Sequence, residues 1–208
     1  MAIVVVGGHT RNVGKTSVAA GLISALRDLE WTAVKITQFG HGICSQHAEP
    51  CECSLVDGEH AWALDEEVNR KGKTDSSRFL VAGASKCYWL RTQQGKLAEA
   101  MPALRDVMAG AKNVMLESNS VIQFLRPDLY ISVLDPETKD FKSSAQRFLD
   151  RADAVVMHGS SGAAQWDGVS YKLIEAKPRF EIHPPEYVTT ELVEFVRKAL
   201  SAHPVEVH

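Results

Sequence analysis

Residues Ile3–Ser17 read IVVVGGHTRNVGKTS, and no other stretch of the chain restricts its fold as strongly. Four consecutive β-branched residues, Ile3 to Val6, predict a strand buried on both faces, as in a parallel sheet. Gly7 and Gly8 interrupt the run. Gly14-Lys15-Thr16 then opens a predicted helix whose apolar positions Val18, Leu22, Ile23 and Leu26 share one face. Strand, glycine loop and helix in this order form the context of a phosphate-binding loop. Glycines allow backbone N–H groups to line a concave anion nest, and the first helical turn adds unpaired donors and the positive end of its dipole. Lys15 is the candidate for the β- and γ-phosphates, Thr16 for Mg²⁺ and Ser17 for the α-phosphate. Gly8, Asn12, Val13 and Gly14 complete the candidate phosphate contacts. The strict pattern has glycine five positions before Gly14, where this chain has His9; from Gly8 the loop is one residue longer.

Such a loop needs a parallel sheet around it, and 208 residues suffice for one substantial domain burying roughly 70% of its unfolded surface. The expected fold is α/β, a three-layer α/β/α arrangement with a mostly parallel sheet, spanning 1–208 as a single domain. The near-balance of 23 basic and 26 acidic residues gives no electrostatic drive toward nucleic acid or an anionic membrane. No apolar run approaches the roughly 20 residues of a membrane span, and Met1-Ala2 leads directly into a strand without a secretory signal. The expectation is a cytoplasmic protein whose four cysteines serve as thiols or metal ligands.

A second strand is expected over Trp31–Thr37, with Lys35 near its carboxyl end, where open α/β sheets bind ligands. Lys35 reads as a second cation for phosphate or a substrate carboxylate, or as an ordinary edge lysine. Near 39–60 the pattern dissolves into an irregular insertion. Cys44, His47, Cys51 and Cys53 there can supply a thiolate/imidazole set for Zn²⁺, although the spacing matches no standard zinc finger. Redox and homodimer-bridging roles for the same cysteines stay open. Residues 60–71 read as a short acidic helix. Gly72-Lys73-Thr74 repeats the letters of the loop without a preceding strand, so it is not a second nucleotide site. Asp75 or Ser76 is expected to cap a helix over Ser77–Ala82 ended by Gly83.

Lys86–Arg91 reads as a strand with Cys87 buried. Gln93–Ala109 reads as a helix that Pro102 kinks or restarts. Asn113–Glu117 is a buried strand ending in a carboxylate, placing Glu117 to hold Mg²⁺ or orient water. Ser118, Asn119 and Ser120 can line the same cleft. Strands over Asp128–Leu134 and Ala152–Met157, a helix around Ser143–Asp150, a short strand Phe180–Ile182 and a final helix capped by Thr190 complete the reading. No guanine-reading Asn-Lys-x-Asp follows the late strands, which leaves GTP and ATP both open as ligands.

VVVGGHTRNVGKTSVAAGLI, AVKITQFGHG, GKTDSSRFLVAGAS and VMLESNS together resemble the small GTP-binding proteins of molybdopterin-guanine dinucleotide biosynthesis, over roughly the first 120 residues. The resemblance implies a P-loop NTPase of the SIMIBI type, with Gly14, Lys15 and Thr16 on phosphates and Mg²⁺, Lys35 facing the cleft and Glu117 as acidic partner. It also implies a cofactor-biosynthesis protein as partner. The chain departs from the family at Ile36, Ser118 and Thr74, where histidine, glycine and aspartate are usual. The longer loop with Val13, and the lysine-bearing second strand, also resemble dethiobiotin synthetase, which makes a carboxyl phosphate from ATP and a carbamate. Both families belong to a class that includes metal-delivery GTPases. Three readings follow: a slow Mg²⁺-dependent nucleoside triphosphatase acting as an adaptor, an ATP-dependent ligase or kinase, and a metal-binding NTPase.

Overall fold

The computed structural model describes residues 1–39, 60–159, 164 and 166–201. The sites named above at Cys44, His47, Cys51 and Cys53, and most of the 39–60 insertion, lie outside them.

The first strand, β1 (Ala2–Gly8), passes through a loop into helix α1 (Lys15–Ala25). Then follow β2 (Trp31–Phe39), β3 (Trp62–Glu67), α2 (Asp75–Ala82), β4 (Lys86–Gln93), α3 (Leu97–Ala109) and β5 (Asn113–Glu117). The remaining elements are β6 (Leu129–Leu134), α4 (Ser143–Phe148), β7 (Ala154–His158), β8 (Arg179–Ile182) and α5 (Thr190–Ser201). The strands form one eight-stranded sheet in the order β3-β4-β2-β5-β1-β6-β7-β8. All pairs are parallel except β3 with β4.

Alternation along β1 divides the core between the two faces of the sheet. Val4 and Val6 pack with α1, α2 and α5 through Leu22, Ile23, Phe79, Leu192 and Val196. Val5 points the other way, into a cluster with Leu97, Met101 and Leu104 of α3. Each face therefore carries a helical layer, as expected for a parallel sheet buried on both sides. A third cluster, containing Leu134, Leu149, Met157, Trp166 and Ile174, closes the sheet's late end. Among the described residues no helix is long and apolar enough to cross a membrane.

Several local expectations need correction. The expected acidic helix at 60–71 is instead largely β3, an antiparallel edge strand. Its alternation is legible afterwards: Trp62 and Leu64 pack on the α3-side core, while Asp65 faces the other way and pairs with Arg91. The unpaired edge of β4 offered more hydrogen bonds than an isolated turn of acidic helix. Glu67, within that expected acidic helix, accepts from the Ser76 hydroxyl at 2.8 Å. Helix α2 is capped one residue early, because the Thr74 hydroxyl accepts from Ser77 N–H; that assigns a structural role to the loop-like Gly72-Lys73-Thr74. Gln93 belongs to β4 rather than to a helix, and α3 runs from Leu97 straight through Pro102. Pro102 lies on the exposed side, where the carbonyl it leaves unpaired can meet water. The last helix is capped by Thr189, whose hydroxyl accepts from Leu192 N–H, rather than by Thr190.

Candidate functional site

The chain leaves β1 at the carboxyl rim of the sheet and turns sharply into α1. Asn12 and Gly14 accomplish the turn with φ of 59° and 94°. Asparagine is among the few side chains that tolerate the left-handed region, and at Gly14 the Tyr187 ring lies 2.7 Å from where a Cβ would be. The bend is therefore present, at the rim where α/β sheets bind ligands.

Segments that end or follow β6, β7 and β8 grip this loop at both of its ends. Late in the loop, the His158 ring at the end of β7 donates from Nε2 to Val13 O at 2.9 Å, and Tyr187 covers Gly14. Early in the loop, the segment after β6 is laced to residues 9 and 10. Thr10 Oγ1 donates to Asp140 Oδ2 at 2.7 Å, and Lys142 N–H donates to His9 O at 2.8 Å. His9 is fully buried between Phe141 and Trp166, with ring centroids 5.1 and 6.2 Å away. Its Nε2 faces Thr138 O at 3.3 Å and Nδ1 has no partner, so burial pushes its pKa below the ordinary histidine value. From beneath, the Asn119 side chain bonds both backbone groups of Gly8.

Lys15 lies across the loop and donates from Nζ to Thr10 O at 2.7 Å. Burial lowers its pKa to about 8; Glu117 opposes this shift, while Lys142 and Lys35 add to it. Such an ammonium gains strongly from an anion in place of a neutral carbonyl. Thr16 Oγ1 donates to Glu117 Oε2 at 2.8 Å, joining the start of α1 to the end of β5. Lys35 is the register partner of Glu117 on the neighbouring strand and reaches its other oxygen at 3.1 Å. It also contacts Asp75 Oδ2 at 2.6 Å. Burial works against the charge of Lys35, but Glu117 and Asp75 outweigh it and its pKa is raised.

The residues expected from sequence therefore converge: Lys15, Thr16, Lys35 and Glu117 occupy one mouth. Ser17 accepts from Arg78 Nη2 at 2.9 Å instead of standing open to a ligand. The sequence marks Asp75 only as a helix cap, and Arg78, Asp140, Lys142, His158 and Tyr187 have no local pattern to mark them, since they arrive from α2 and from the segments that end or follow β6, β7 and β8. Beside Ser17 a cavity of about 520 Å³ is lined by Gly21, Arg78, Pro185, Glu186, Tyr187 and Val188. Among the described residues no group of three or more His, Cys, Asp or Glu side chains is arranged to hold a metal. A hydroxyl and one carboxylate do fit Mg²⁺, a hard cation bound through one or two protein oxygens with substrate phosphates and water.

No protein-family model matches the chain, and no curated protein sequence matches it. Among solved structures the chain is similar to HypB from Helicobacter pylori in complex with nickel. The identity is 14% and the TM-score 0.52, over 100% of this chain and 91% of that one. It is similar also to the apo form of LpxK from Aquifex aeolicus in complex with ATP, at 14% identity and TM-score 0.48, over 87% of this chain and 53% of that one. A zinc-bound triple mutant of the YjiA GTPase matches at 12% identity and TM-score 0.42, over 92% of this chain and 60% of that one. This chain thus spans about half the length of LpxK. The likeness to HypB speaks to the fold, a mostly parallel eight-stranded sheet of the P-loop NTPase type.

Proposed function

We propose that this chain binds a nucleoside triphosphate, GTP or ATP, with Mg²⁺ at the loop Gly8–Ser17 and hydrolyses it slowly. The observation that carries the reading is the network at the loop's mouth: Thr16 hydroxyl to Glu117, Glu117 to Lys35, with Lys15 poised on Thr10 O. These are the groups a phosphoryl-transfer site needs, brought together from the loop after β1, α1, β2 and β5.

The roles follow from position. Backbone N–H groups of Val13–Thr16 and the start of α1 receive the phosphate chain, and Lys15 exchanges Thr10 O for phosphate oxygens. Thr16 and Glu117 would hold Mg²⁺. Bound there, the ion would neutralise charge on the β- and γ-phosphate oxygens. Lys35 fixes the Glu117 carboxylate so that its free lone pairs face the mouth. The cavity beside Ser17 and Tyr187 accommodates sugar and base, with the tyrosine ring available for stacking. Catalysis in this arrangement is mainly positioning and charge neutralisation, consistent with slow turnover by the chain alone.

The finer placement, an adaptor in molybdenum-cofactor nucleotide assembly working with a cofactor-biosynthesis protein, rests on the ordered motif resemblance over the first 120 residues. A second reading, an ATP-dependent ligase or kinase of the dethiobiotin synthetase type, is favoured by Lys35 itself. This lysine stands at the mouth of the loop with its Nζ held between two carboxylates, and reorientation would present it to a substrate carboxylate.

The test is thermal unfolding with ATP or GTP, each with Mg²⁺. A ligand bound only by the native state raises the melting temperature. One nucleotide is expected to do so in the wild type and neither in Lys15→Ala. An unchanged melting temperature for the wild type with both nucleotides at millimolar concentration would refute the site. Product analysis with ATP and a small carboxylate or amine separates the two readings: the first yields only diphosphate and free phosphate, the second a ligated or phosphorylated product that Lys35→Ala fails to form.

A further inference from the structure

The segment that follows β6 is more than a connection. Asp135 organises its first turn, accepting from Glu137 N–H at 2.9 Å and the Thr138 hydroxyl at 2.7 Å, while Trp166 Nε1 donates to Asp135 O at 2.8 Å. The segment then touches the phosphate loop three times in five residues, through Thr138 O, Asp140 Oδ2 and Lys142 N–H. It forms a strap bound to His9 and Thr10, early in the loop, whereas His158 and Tyr187 meet it at Val13 and Gly14.

The strap ends at Lys142, whose side chain is half-buried. Among the described residues its ammonium has no hydrogen bond and no ion pair, whereas Lys15 donates to Thr10 O and Lys35 contacts both Asp75 and Glu117. Its backbone N–H is tied to His9 O, at the start of the loop, and the charges of Arg11, Asp140, Glu117 and Lys35 act on its ammonium. Burial, then Arg11, hold its pKa below the ordinary lysine value. A positive group that has lost water without gaining a carboxylate is stabilised by an incoming anion.

Direction along the site decides which anion. The cavity fit for sugar and base lies by Ser17 and Tyr187. Lys15 rests on Thr10, so the far end of a polyphosphate chain points to the strap flank. We propose that Lys142 is a third cation of the site, carried by the strap to hold the terminal phosphate of a nucleoside triphosphate, a contact that a diphosphate lacks. The inference rests on the nucleotide reading of the loop.

Calorimetric titration of the full chain with ATP, GTP, ADP and GDP, each with Mg²⁺, tests both levels separately. In Lys142→Ala the triphosphate is expected to bind about tenfold or more weakly, the size of one lost charge-assisted bond. Diphosphate affinity should stay within about twofold. Lys142→Arg should restore most of the triphosphate affinity. Equal weakening for tri- and diphosphate, or no weakening of the triphosphate, overturns the role of Lys142 while leaving the loop intact. A wild type that binds none of the four overturns the loop reading and this inference with it. Because the Lys142 ammonium bonds to no group among the described residues, Lys142→Ala should melt with the wild type. A collapse of stability would contradict the unpartnered state on which the inference stands.

Discussion

The Asn119 side chain pairs with Gly8 as one peptide group pairs with another: Oδ1 accepts from Gly8 N–H and Nδ2 donates to Gly8 O, both at 2.8 Å. The main-chain ladder of β5 against β1 reaches its end with Ser118 N–H on Val6 O. One residue on, a side chain continues the ladder and fixes Gly8, where β1 passes into the loop before α1. Gly7 makes room for it, since a Cβ there would lie 2.2 Å from Asn119 Oδ1. Asn119→Ala leaves both Gly8 groups buried and unpaired, so a loss of about 2 kcal/mol is expected by urea unfolding. Nucleotide affinity should fall with it. Asn119→Asp should also be destabilising, since it keeps the acceptor but cannot donate to Gly8 O.

Lys35 and Glu117 are largely buried, with side chains 13% and 6% exposed. Removal of one partner from such a pair strands the other charge. Lys35→Ala is therefore expected to lower stability by ~3 kcal/mol in urea unfolding, more than an exposed lysine deletion. Lys96→Ala, which breaks an exposed pair with Glu99, should leave the urea midpoint close to that of the wild type.

His9 sets a pH dependence. Its folded pKa lies below the ordinary 6.5, so between those values the unfolded chain binds a proton that the folded chain does not. Stability contributed by His9 is thus complete above about pH 6.5 and is lost as the pH falls through that value toward the folded pKa. His9→Phe, which keeps an aromatic ring beside Phe141 and Trp166 and cannot take the proton, should flatten the fall in stability between pH 7 and pH 5 measured by denaturant titration.

Cys87 is fully buried, and burial pushes its thiol pKa up to about 12. In a chain with Cys44, Cys51 and Cys53 replaced by serine, a thiol reagent at pH 8 should label Cys87 only at the rate of unfolding. Immediate labelling of the folded protein would place the side chain at the surface.

Local chemistry was sufficient for some of this protein. The β-branched run Ile3–Val6, the glycines and the Gly14-Lys15-Thr16 start of α1 are short-range patterns, and they determined the central strand, the loop and the first helix. Strand β5 ending at Glu117 was legible for the same reason, because a buried parallel strand is a continuous apolar run and its terminal acid stands out. Sequence also singled out Lys35 by its place near the end of a strand. Tertiary structure alone decided that 62–67 is a strand, since pairing to the edge of β4 outweighed the local preference of three consecutive acids. It alone decided what else surrounds the loop: Asp140, Lys142, His158 and Tyr187 come from three strand ends more than 130 residues away from Gly8. No periodicity links them. They meet because parallel strands all deliver their following loops to one rim, and which loops become neighbours is set by strand order, a property of the whole sheet that no local stretch encodes.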